Sequence, residues 1–375
     1  MTSAGVAGPA ASSPAALSAR QWRQPALDGL RSLAFLAVFV SHVGYGLRGG
    51  FGVLVFFLLS GFLITTLLRR ERERAGRIDL RGFWKRRAVR ILPPYLVVLV
   101  VLFAIDWATD PDLMERVSAS GYLALSGFWT NYYELTPHAL LPPGTTVYWS
   151  LSVEEHFYLV WPLLFLLVAR LRRVTGLWLL GALCLLDIAW RYVAVHNAFA
   201  VGWTYLATDS RFESLLWGCL LAFYLDTDQE LAVRRVGGPL RQWSILVVCG
   251  LGLVWGSRWG SETLRETVRY TLQSVCVMGV FLVAMGAPQH PVSRLMRIRP
   301  LLWMAPLTYT AYLIHLGLLT ALQTTFPDTK KLVLALPTMA ATLGLALLIR
   351  HGVELPTARW FRGTRPPAAV EGQAG

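Results

Sequence analysis

Charge is scarce in this chain. Charged residues hold 15% of its 375 positions, against about 25% in an ordinary soluble domain. That is too little to cover a water-facing surface, which argues against a soluble enzyme. The apolar share is 55% and the mean hydropathy is +0.48, pointing to an integral membrane protein. Cysteine is scarce too. Cys184, Cys219, Cys249 and Cys276 each lie in an apolar stretch without CxxC or His-paired spacing, so no disulfide and no metal site is expected. A Walker loop, a GxGxxG turn and an HExxH helix are all missing. Leu59-Ser60-Gly61 lacks the GxSxG frame of a nucleophile elbow. No repeat is visible.

What is present is apolar runs. A bilayer span needs about 20 mostly apolar residues. Ten stretches qualify, near 27–45, 51–68, 91–107, 151–169, 177–195, 211–225, 242–257, 267–286, 300–322 and 332–350. The fold class expected is therefore an all-α integral membrane bundle of about ten helices, with a transmembrane domain over 25–360. Residues 1–24 and 361–375 read as tails. The first 19 residues carry no basic residue and no continuous apolar core, unlike a signal peptide.

The basic excess fits the same picture. Thirty-five Lys and Arg against 22 Asp and Glu give a net charge of +13. With the N-terminus inside, 25 of the basic residues fall in inner segments, ten of them between Arg69 and Arg90, and six fall in outer ones. The positive-inside rule explains this without nucleic acid, and both termini are expected to be cytoplasmic. The outer stretch near 108–147, with Trp129, Tyr132 and Tyr133, is either a packed lid or part of a mouth for an external substrate.

Ionisable residues at membrane depth are costly, about 2.5–3.5 kcal/mol each on the mild scale, and so are functional candidates. Arg31 and His42 stand eleven residues apart on one helix face. The rise between them is about 16 Å, with Asp28 one turn from Arg31. Many membrane histidines are only hydrogen-bonded within a bundle, but an arginine on the same stripe favours a functional reading. A second feature is an inner loop, Phe83 to Pro93, in which Arg87 and Arg90 share a face beside Arg86. Planar guanidinium forks suit phosphates, although topology alone also recruits arginine. A third is Tyr148-Trp149-Ser150-Leu151-Ser152-Val153-Glu154-Glu155-His156-Phe157-Tyr158. Adjacent Glu154 and Glu155 point about 100° apart, so they are not a dyad; one is free to face a cavity and hold His42 or an arginine. Asp209 and Arg211 open the sixth span. Tyr312 and His315 share a face of the ninth, where His315 is equally readable as core.

A membrane histidine can take a proton from a hydroxyl, and an inner arginine cluster can hold a phosphorylated donor. These parts suit group transfer from a nucleotide-like thioester to an alcohol. They suit equally a proton-coupled transporter or flippase of a lipid-linked or glycosylated substrate, and the residues alone leave both open.

The order of motifs resembles a known family. Asp28-Gly29-Leu30-Arg31, then His42, then Gly49-Gly50-Phe51-Gly52-Val53 and Phe56-Phe57-Leu58-Leu59-Ser60-Gly61 look like the opening of the acyltransferase family 3 membrane O-acyltransferases. The Arg87-x-x-Arg90 segment, Trp149-Ser150-Leu151 with Glu154-Glu155, Tyr312-Leu313-Ile314-His315 and Glu354-Leu355-Pro356 continue it in order. His156 departs from the family's usual Gln. The similarity is to members without an SGNH hydrolase domain after the tenth span.

That resemblance implies a bacterial multi-pass cell-membrane enzyme using acyl-CoA, by default acetyl-CoA, as co-substrate, with no permanently bound cofactor. The acceptor would be a hydroxyl of a carbohydrate or glycosylated metabolite. It would make His42, Arg31 and Glu154 catalytic and place Arg86, Arg87 and Arg90 on the donor. Asp28, Trp149, Glu155, Tyr158, Asp209, Arg211, Tyr312 and His315 would support or shape the acceptor side.

Overall fold

A computed structural model of the chain describes residues 24–44, 50–197, 199–225, 229–258 and 260–363. Most of the two expected tails, 1–23 and 364–375, lies outside the described residues. The described residues are almost wholly helical and contain no strand. Among the described residues ten helices have 18 or more residues: α1 (Pro25–His42), α2 (Gly50–Ala75), α3 (Leu80–Thr109), α4 (Trp149–Val168), α5 (Arg173–His196), α6 (Thr208–Leu225), α7 (Pro239–Ser257), α8 (Arg269–Gly286), α9 (Thr308–Thr325) and α10 (Lys331–Ile349). Eight helical segments among the described residues are long and apolar enough to cross a membrane; α1 and α6 fall outside that set. The protein is an all-α membrane protein, as its composition requires.

Local chemistry explains the boundaries. Pro25 opens α1 with Asp28 in its first turn, where a fixed φ and a carboxylate both suit a helix start. Asp79 caps α3 by accepting from the Gly82 amide at 2.9 Å. This cap corrects the expected loop over 83–93: the basic segment forms the first turns of α3, which runs unbroken through Pro93 and Pro94. Hydropathy alone starts that span near Ile91, because charged side chains at a helix end can reach to the interface. α10 leads into a single π turn, Arg350–Glu354, and then a helix over Leu355–Gly363. Such turns often mark functional positions.

α2 lies at the centre, packed on α1, α6 and α8. Glycine makes its closest crossing possible. A Cβ on Gly61 would sit 1.9 Å from the Leu215 carbonyl oxygen, and one on Gly218 would sit 2.2 Å from that of Leu58. The two backbones therefore touch, as small residues allow in membrane helix pairs. The stretch between α3 and α4 folds into short helices over Pro111–Arg116, Ala119–Ser126 and Thr130–Tyr133. It is pinned to α9 where Gly144, at φ +74°, meets Gly317.

Candidate active site

Helices α1 to α4, α9 and the π turn after α10 line a cavity of about 490 Å³. α1 contributes Asp28 and Arg31, α2 contributes Phe56, Phe57 and Ser60, and α3 contributes Arg87 and Arg90. α4 adds Ser150, Glu154 and Tyr158, and the α9–α10 end adds Tyr309, Tyr312, Arg350 and Glu354. Four arginines thus face three carboxylates, leaving an excess of positive charge in a space that suits a polyanion.

The carboxylates are individually held. Asp28 lies 3.9 Å from the Arg31 guanidinium. Glu154 accepts from Ser60 at 2.8 Å, and the Tyr158 hydroxyl lies 3.2 Å from both Glu154 and Ser60. Glu354 accepts from Thr310 at 2.5 Å and pairs with Arg350 at 3.8 Å. Arg87 lies over the rings of Phe83 and Tyr158, at 5.7 and 5.6 Å.

His42 sits at the far end of α1, outside this cavity. Its Nδ1 lies 3.1 Å from Nε2 of the buried His315. His315 Nδ1 lies 2.6 Å from the Tyr312 carbonyl oxygen. A carbonyl only accepts, so His315 carries its proton on Nδ1 and presents a bare Nε2 lone pair. His42 must then donate from Nδ1, which leaves its own Nε2 as a lone pair free to take a proton. The arrangement fixes a tautomer as a partner does in general-base sites. The link to the cavity is Tyr312, which lines it and whose ring centroid is 5.6 Å from that of His315. Phe56 stands edge-on to Tyr312 at 5.9 Å, so a row of rings runs from the cavity to His42.

The structure separates other sequence candidates. Glu154 does not hold His42; its bonds go to Ser60 and Tyr158. Of the glutamate pair it is Glu154 that faces the cavity, and the Glu155 Oε1 is buried without a hydrogen-bond partner among the described residues. Arg86 points away and pairs with Glu71 at 2.9 Å. His156 bonds Thr208 Oγ1 at 2.7 Å and stands edge-on to Trp129. Asp209 collects Trp190 and Trp203 indole donors at 2.7 and 3.1 Å and the Tyr132 hydroxyl at 3.5 Å. Trp149 packs on Phe57 and Tyr205, beside Arg211. Ser60 and Arg350 are cavity residues that pattern reading did not select, whereas Tyr309, which stands with Tyr312 and His315 on the ninth span, does line the cavity. In the loop before α4, burial pushes the Glu134 carboxyl up to about 8.

The chain is similar to known bacterial proteins. Peptidoglycan O-acetyltransferase OatA of Listeria monocytogenes is 29% identical over 356 residues, covering 88% of this chain and 55% of that protein. O-acetyltransferase OatA of Staphylococcus aureus strain NCTC 8325 is 35% identical over 208 residues, 53% of this chain and 34% of that protein. This chain therefore spans between a third and just over half of those relatives. No solved structure matches. The family model described as an acyltransferase domain matches residues 24–351, and the chain belongs to that family, acyltransferase family 3.

Proposed function

We propose that this protein is an integral-membrane O-acyltransferase. It moves an acyl group, acetyl by the naming of its relatives, from acyl-CoA on the cytoplasmic side to a hydroxyl of a carbohydrate on the other. The basic end of the bundle is cytoplasmic in this reading. Ten helices span the plasma membrane of a bacterium, α1 and α6 included, and both termini are cytoplasmic. Peptidoglycan is the first acceptor to test, because a relative bears that name.

The observation that carries the proposal is the His42–His315 pair with its defined tautomer, set beyond an arginine-lined cavity. Arg87, Arg90 and Arg350 receive the phosphates of the donor, since a planar fork grips an oxyanion with two parallel bonds. The pantetheine arm extends along the cavity past Arg31. Phe56, an apolar ring without a polar anchor, turns aside to let the thioester reach His42. The acceptor enters from the opposite end. His42 Nε2 takes the hydroxyl proton as the oxygen attacks the thioester carbonyl. The C–S bond breaks, and the sulfur leaves with the proton that His42 returns. Thioester and alcohol become ester and free thiol. During the step the charge on His42 is stabilised by its Nδ1–H bond to His315.

The test is thiol release by purified protein given acetyl-CoA and peptidoglycan fragments. The wild type releases CoA only when acceptor is present, and His42→Ala, inserted and stable, releases none above background. Normal turnover by His42→Ala would remove the assignment. Acceptor crossing a membrane without thioester consumption would establish the transport reading instead.

A further inference from the structure

The cavity is built in layers. Its lining on α2 runs from Leu67 to Val53, a stretch of about 21 Å along the helix. Contacts across the space give the order. Arg87 lies over the ring of Tyr158, whose hydroxyl reaches Glu154 and Ser60. About 6 Å further toward the start of each helix, Phe56 of α2 and Ser150 of α4 meet Tyr312. The Phe56 and Tyr312 ring centroids are 5.9 Å apart, and Ser150 Oγ is 2.6 Å from the Tyr312 hydroxyl. Arginine thus stands at one end, a carboxylate layer in the middle and aromatic rings at the other.

The end with the rings is apolar in effect. Val53, Phe56, Phe57, Leu151 and Leu313 form its wall. Its two hydroxyls are taken up by each other and by one carbonyl. The Val147 oxygen lies 3.0 Å from the Tyr312 hydroxyl and 3.1 Å from Ser150 Oγ. One proton bridges the hydroxyls and the other goes to the carbonyl, so neither is left for a ligand. The space is also closed behind. Gly52, next to Val53, presses on α1, where a Cβ would come within 2.5 Å of the Ala34 carbonyl oxygen. Val53, Phe57, Leu151 and Leu313 are each 5% exposed or less. Phe56 is the wall residue that is only partly buried, and so the one with room to move.

A thioester donor carries phosphates at one end and its acyl group at the other. Laid with the phosphates on the arginines, it brings the acyl group to this apolar end. We infer that Phe56 sets the length of the acyl group: the ring that turns aside for the thioester leaves room beside it for acetyl and not for a longer chain. This rests on the reading of the cavity as the donor site of an acyltransferase and adds the residue that selects among donors.

Thiol release from acetyl-CoA and butyryl-CoA tests it. A methylene received by an apolar wall is worth roughly fourfold, so the two that separate butyryl from acetyl are worth about 15-fold. Phe56→Ala should raise the ratio of kcat/KM for butyryl-CoA to that for acetyl-CoA by about that factor, whatever it does to either rate alone, and Phe56→Leu should fall between. Leu67→Ala, at the other end of the lining, should leave the ratio unmoved. Lost packing lowers turnover of both donors and does not raise the ratio. An unchanged ratio in Phe56→Ala, or a wild type that already uses butyryl-CoA as well as acetyl-CoA, would overturn the inference and leave the acyltransferase reading standing. Where Phe56→Ala is lost from the folded fraction, Val53→Ala on the same wall carries the test: a smaller rise is expected, and an unchanged ratio refutes it. Absence of CoA release from either donor in the wild type would instead remove the acyltransferase reading and the inference with it.

Discussion

His315→Leu separates a positioning histidine from a packing one. The substitution keeps an apolar side chain among Phe35 and Phe39, whose rings lie 5.8 and 6.3 Å from His315, but removes the acceptor of the 3.1 Å bond from His42. In the resting state that bond joins two neutral rings and is worth about 1 kcal/mol. When His42 takes a proton the same bond becomes charge-assisted and is worth about 1.5–3 kcal/mol. Only the increase accelerates the reaction, which gives roughly a tenfold loss. Release of His42 to its other tautomer adds to this, and misdirection of a general base costs up to about 10⁴-fold in the best-studied triad. The expected fall in kcat is therefore about 10²-fold or more, with KM for acetyl-CoA within a factor of two or three. His315→Gln, whose carbonyl can accept from His42, should recover part of it. The assay is single-turnover thiol release in nanodiscs, with thermal stability measured alongside. A His315→Leu enzyme within threefold of wild type would refute the tautomer argument.

Arg87→Ala and Arg90→Ala should each raise KM for acetyl-CoA about tenfold with little change in kcat, whereas Arg86→Ala, paired with Glu71 away from the cavity, should not; steady-state kinetics distinguishes them. Gly218→Val should disrupt the α2–α6 crossing, since even a Cβ there meets the Leu58 carbonyl, and the protein should be lost from the folded fraction in detergent chromatography. Glu134, held near 8 by burial, binds its proton more tightly folded than unfolded. Stability from this group is present below the unfolded value near 4.5 and is lost as pH rises towards 8. Glu134→Gln should thus raise the melting temperature at pH 8 more than at pH 5, and an equal shift at both would contradict the assignment.

Much of the fold can be read from the chain because a bilayer punishes exceptions. Each of the ten expected spans overlaps a helix of 18 or more residues among the described residues, and eight helical segments are long and apolar enough to cross a membrane. Where reading failed, charge and apolarity shared one helix. α3 begins at Leu80, eleven residues before the apolar run near Ile91, since Asp79 caps a basic turn that hydropathy counts as loop. The ninth span is broken near Pro306 into a short helix, a 3₁₀ turn and α9. The site was legible in residue types but not in pairings. Arg31, Arg87, Arg90, Glu154, Tyr158 and Tyr312 do converge on one cavity. The bond between His42 and His315 spans 273 residues of sequence, and no local period encodes it. Ser60 hides inside an apolar helix and becomes visible only when α4 brings Glu154 against it.

The most direct test places the two substrates on opposite sides of a sealed membrane. Proteoliposomes of one orientation receive labelled acetyl-CoA on the side of Arg87 and Arg90 and peptidoglycan fragments on the side of His42. Labelled ester should form on the acceptor side with the wild type and be absent with His42→Ala. Ester formed only when both substrates share one side, or formed undiminished by His42→Ala, would contradict the account.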